Sequence, residues 1–165
     1  MAWLNKLFRQ DKSQVRSHTY ISQLPHWRIV GVRVFSSFFR ELPNLVPADS
    51  ILYIENTSFG GDVAKYLGTH AIAQPERKIE RGTIWPRPKS FHVSISDAVM
   101  NGLAEISKRH AEPEVADHMV AYHQQGILFE WYDAGLDPIY VSKQIGEESL
   151  AAVCAKIGAN YDELE

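Results

Sequence analysis

Between Arg87 and Asp97 the chain reads "RPKSFHVSISD", and here its residue types could do chemistry. In a strand, alternate side chains share a face. That puts His92, Ser94 and Ser96 on one side and Phe91, Val93 and Ile95 on the other. An imidazole and a hydroxyl two residues apart can grip one phosphate, and Arg87 and Lys89 can add positive charge from the preceding loop. Arg87, Lys89, His92 and Ser94 are therefore the anion-binding candidates, and His92 with Ser94 the candidates for acid–base chemistry.

The fragment "HVSI", His92 to Ile95, resembles one half of the two-histidine phosphoesterase signature. In that family two H-x-S/T-x strands face each other across a phosphate, and the resemblance implies one histidine as base and the other as acid. The second copy is what this chain lacks. In "HTYI" at His18, Thr19 stands one position early and would point away from the histidine. "HAIA" at His70 and "HQQG" at His123 have no Ser or Thr at the required place.

Other clusters have simpler readings. "IENTSFGGDVAKYL" joins a strand, a Gly pair and a helix start, the ingredients of an anion-binding turn. It lacks both the P-loop and the dinucleotide spacing, and Asp62 in the first turn would repel a phosphate. Asp117, His118, His123, Glu130 and Asp133 are close in sequence but have no metal-ligand spacing, so no metal and no cofactor are expected. The hairpin "FEWYDAGLDPIY" places Phe129 and Trp131 on one side. Glu130, Tyr132 and Asp137 fall on the other, and together with Asp133 they are the candidate contacts for a protein partner. Cys154 lies on an apolar helix face and reads as an unreactive core thiol. Arg77, Lys78, Arg81, Arg87 and Lys89 surround "WPRP" and form the best local basic patch. With no recognisable binding module beside it, nucleic acid is not expected as a partner.

The elements that must position these groups follow from periodicity and breakers. Residues 1–24 read as a partly loop-like N-terminal segment, with a short amphipathic helix over 3–8 and a strand at "HTYI". From Pro25 to Leu42, apolar Trp27, Val30, Val34, Phe38 and Leu42 recur every three to four residues. With Pro25 before and Pro43 after, this predicts a helix, although Gly31 and the β-branched residues of "WRIVGVRVF" also allow a strand. Strands are expected at 50–56 and 91–96, and three in succession from His118 to Ile145. Helices are expected near Asp62 to Gly68, over 97–110, and over 147–157 with Gly158 as cap. Residues 69–90 read as a long irregular connection. The sum is one α+β domain over 25–165, with a mixed or mostly antiparallel sheet, a C-terminal β-meander and helices covering it.

Composition bounds the rest. The chain has 165 residues, 45% of them hydrophobic, enough for one real core. A single cysteine excludes an internal disulfide framework and suits a reducing, cytoplasmic setting. No apolar run is long enough for a membrane span and no secretory signal is visible. Charge is uneven. Residues 1–33 carry six Lys/Arg against one Asp, and residues 112–165 carry eleven acids against two bases. The first functional reading is a cytosolic binding or interaction protein of adaptor or immunity type, without catalysis, that engages a protein partner or itself. The alternative is a phosphoesterase-like enzyme acting on a phosphorylated small molecule through His92 and Ser94.

Overall fold

The computed structural model describes residues 20–79, 87–124 and 126–165. Trp27 and Ile29 alternate with Arg28 in β1 (His26–Val30), so the first two bury against helices and Arg28 faces away. Gly31 then takes φ +81, a left-handed turn that ends the strand. Helix α1 (Phe35–Leu45) buries Phe35, Phe38, Phe39, Leu42 and Leu45 at helical spacing. The helix expected over 25–42 is thus corrected to a strand followed by a later helix. Pro43 does not stop α1 but sits in its last turn. Close to a helix end, the missing N–H of proline removes only one internal bond.

The remaining elements are β2 (Ile51–Asn56), α2 (Gly61–Thr69), β3 (Lys89–Ser94), α3 (Asp97–Ser107), β4 (His118–His123), β5 (Gly126–Trp131), β6 (Ile139–Ser142), α4 (Glu147–Ile157) and β7 (Asn160–Leu164). The seven strands form one antiparallel sheet in the order β3-β2-β4-β5-β6-β1-β7. The fold is α+β, a single compact domain whose later strands form the expected meander β4-β5-β6. Gly158 closes α4 at φ +69. Ser96 stands at the N-cap of α3, but its side chain makes no capping bond. Strand β7 was not foreseen in the acidic "NYDEL". It forms by pairing with β1, where Asp162 receives two hydrogen bonds from Arg28, at 2.9 and 2.6 Å.

The helices pack on one sheet face. Leu52, Ile54, Val93, Met119, Phe129, Trp131, Ile139 and Val141 supply its core. The opposite face carries a second, smaller cluster of Tyr53, Val120 and Tyr122, with Ile51, Ile79 and Ile127 against it. Among the described residues no helix is long and apolar enough to cross a membrane. The expected helix over 3–8, and His18 and Thr19 of "HTYI", lie outside the described residues. Ile21, the last residue of that stretch, begins a short 3-10 turn, Ile21–Gln23, rather than a strand.

Candidate functional site

The pairing of β3 on β2 and β2 on β4 builds the site. Tyr53 stands opposite both His92 and Val120, and Ile51 opposite both Ser94 and Tyr122. Antiparallel register brings diagonal neighbours into reach. His92 Nδ1 therefore lies 2.9 Å from the Tyr122 hydroxyl, with the Tyr53 ring edge-on at 5.1 Å. Residues 71–79 fold over this edge. The Ile72 N–H donates to the His92 carbonyl at 2.8 Å, and Ala71 bridges to Val93.

Between that connection and β3 lies a cleft of about 720 Å³, lined on its polar side by Arg77, Lys78, Ser90 and His92. Ile72, Pro75, Ile79 and Phe91 give it apolar walls. Burial pushes the Tyr122 phenol up to about 12, helped by the Glu76 charge and opposed by Arg77. The phenol stays neutral at physiological pH, and its hydroxyl shares a hydrogen bond with the Nδ1 of His92 that orients the ring. The cleft can therefore offer a ligand two cationic side chains, a hydroxyl and an oriented imidazole.

The four anion candidates are not gathered together. His92 lines the cleft. Ser94 sits two residues further along β3, half-buried, outside the lining. Arg87 and Lys89 are exposed and lie outside it as well. The charge comes instead from Arg77 and Lys78, residues of the basic stretch that carry no histidine or serine motif to mark them.

The acidic hairpin divides, with Glu130 and Tyr132 turned inward and Asp133 and Asp137 outward. Glu130 is 0% exposed and accepts from the Ile21 N–H at 2.8 Å and the Tyr132 hydroxyl at 3.3 Å. Tyr132 is half-buried among the rings of Tyr20 and His118. Burial, and then the Glu130 charge, raise its phenol well above the ordinary value. Asp133 and Asp137 are exposed. The Asp133 N–H donates to His118 Nδ1 at 3.0 Å, and the Asp137 carbonyl accepts from Trp131 at 2.8 Å. Phe129 and Trp131 are core, as their alternation predicts.

Glu55 was not singled out in the sequence, yet it is a second buried carboxylate, 2% exposed. It accepts from the Tyr53 hydroxyl and lies 3.8 Å from His118 Nε2. A charged residue inside the apolar run "ILYIEN" was the available signal. Asp62 binds Arg109 and His110 at 2.9 and 2.5 Å, which occupies the start of α2 with a carboxylate. Among the described residues no group of three His, Cys, Asp or Glu side chains is placed to hold a metal ion. Cys154 is buried, and burial pushes its thiol up to about 11, which keeps it unreactive. No protein family, curated protein or solved structure matches the chain.

Proposed function

We propose that the chain is a binding protein without catalysis whose ligand is a small molecule with an anionic head and an apolar body. The cleft takes the head on Arg77, Lys78 and His92, and the body between Ile72, Ile79 and Phe91. The observation that carries this reading is His92, held by the Tyr122 hydroxyl on the wall of a cleft that Arg77 and Lys78 also line. The cleft lies within the range of about 300–1,000 Å³ usual for small-molecule sites. A lone buried cysteine is compatible with a cytosolic setting. Partner binding through the hairpin has less support, because Glu130 and Tyr132 are engaged inside the fold.

Calorimetric titration with phenyl phosphate tests the proposal. Saturable binding is expected, and His92→Ala or Arg77→Ala is expected to weaken it by about tenfold, the scale of one charge-assisted hydrogen bond. Equal affinity in both variants would overturn the cleft as the site. The same histidine supports the phosphoesterase reading, and release of phenol from phenyl phosphate, abolished by His92→Ala, would replace the non-catalytic reading with it.

A further inference from the structure

His118 opens β4 beside the turn that joins β5 to β6, and each of its ring nitrogens has a defined neighbour. The Asp133 N–H donates to Nδ1 at 3.0 Å. A backbone N–H can only donate, so Nδ1 carries a lone pair and the ring's own proton sits on Nε2. Nε2 faces the Glu55 carboxylate of β2, 3.8 Å from Oε1. The His118 side chain is 21% exposed, so solvent protons reach it.

The titratable groups packed around the ring come from several elements. Glu55 stands on β2, with the Tyr53 hydroxyl donating to it. Tyr132 of β5 stands edge-on to the imidazole at 5.4 Å, with Glu130 at its hydroxyl and Tyr20 against its ring. Asp117, the preceding residue, turns its carboxylate to the Thr57 N–H and hydroxyl.

The turn over 133–137 closes on itself, with the Leu136 and Asp137 N–H groups donating to the Asp133 carbonyl at 2.9 and 3.1 Å. Asp133 takes φ +45, uncommon outside glycine. Two hydrogen bonds tie the turn to the start of β4. One runs from the Ala134 N–H to the Asp117 carbonyl at 2.8 Å, the other from the Asp133 N–H to His118. Only the second has an acceptor that a proton can occupy. Leu136, at the tip, is 90% exposed.

We propose that His118 is an acid-operated latch on the 133–137 turn. A proton from solvent bonds to Nδ1 and takes the lone pair that accepted from Asp133. Two N–H groups then face each other, and the Asp133 N–H is released. The ring is now positive and keeps Glu55 opposite its Nε2–H, so the imidazole stays while the turn moves. The Ala134 bond still anchors the turn, which keeps the change local and shifts Leu136 at the tip. The latch lies apart from the cleft and does not depend on what the cleft binds.

The test follows the Asp133 amide and the His118 ring in nuclear magnetic resonance spectra of the full chain, from pH of about 8 to about 5.5, the range in which histidines titrate. The Asp133 amide is expected to move with the same midpoint as the His118 ring, and the Leu136 methyl resonances with it. His118→Asn offers a side-chain oxygen in place of Nδ1 and takes up no proton, so it should hold the Asp133 amide at its alkaline position throughout. His118→Phe keeps a ring against Tyr132 but offers no acceptor, and should hold the amide at its acid position throughout. The titration of the unaltered chain carries the test by itself if either variant folds poorly. An Asp133 amide that stays fixed while the His118 ring titrates, or that moves equally in His118→Asn, would overturn the latch.

Discussion

At the scale of single residues, the deciding quantity is which polar groups are buried with their partners. Glu130 accepts in the interior from the Ile21 N–H and the Tyr132 hydroxyl. Glu130→Ala would strand both, at about 1–3 kcal/mol for each buried unsatisfied group. Urea unfolding should show that loss, while Asp133→Ala and Asp137→Ala, at exposed positions, stay within about 0.5 kcal/mol of the parent. A stable Glu130→Ala protein would return this side chain to the list of partner contacts. His92 is a gentler case. Tyr122→Phe removes the hydroxyl at its Nδ1, together with that hydroxyl's hydrogen bond to the Arg77 backbone. The nitrogen shifts of the His92 ring should then move toward a more even mixture of its two tautomers. Unchanged shifts would mean that Tyr122 does not set the ring.

At the scale of elements, close approach and backbone sign matter more than composition. A side chain at Gly102 in α3 would collide with the Tyr66 ring of α2, whose hydroxyl donates to the Val99 carbonyl at 2.9 Å. Gly102→Ala should therefore cost about 1–3 kcal/mol, the usual range for overpacking. Adding Tyr66→Phe should recover part of that loss, because the hydroxyl is what the new methyl group meets first. Simple additivity of the two changes in chemical denaturation would count against a direct contact. Gly158 is a different situation, with open space but φ +69, so Gly158→Ala costs about 1 kcal/mol from backbone conformation alone. The anion-binding reading belongs to this scale too. The cleft exists because the 71–79 connection lies along the edge of β3, bonded at Ile72 and bridged at Ala71.

For the whole molecule, buried phenols set the alkaline limit. Burial raises Tyr122 to about 12 and raises Tyr66 and Tyr132, and it lifts the Cys154 thiol to about 11. Such groups bind their protons more tightly folded than unfolded. Their contribution is fully present below the unfolded values, near 9 for the thiol and 10 for the phenols. It is lost as pH rises through the folded ones. Melting temperature should fall steeply above pH of about 10, with part of the tyrosinate absorbance appearing only as the fold is lost. Smooth ionisation of all tyrosines in a still-folded chain would contradict the burial seen here. Much of the architecture is legible without coordinates, because local periodicity and breakers act within a few residues. The strand "ILYIEN", the meander from His118 to Ile145, the helix before Gly158 and the inward Phe129 and Trp131 all follow from spacing. What local pattern leaves open is decided by pairing partners far away in the chain. Residues 26–30 become a strand because β6 and β7 bracket them, and "NYDEL" becomes one because β1 offers its edge. Burial of polar groups is decided in the same way. Register across three strands sets His92 beside Tyr122, Ile21 of the N-terminal segment donates to Glu130, and folding of 71–79 brings Arg77 and Lys78 to the cleft that the histidine lines. The composition of "RPKSFHVSISD" by itself determined a strand with an imidazole on its polar face. Only the tertiary structure decided what that imidazole meets, because the groups around it come from segments with no local reason to be neighbours.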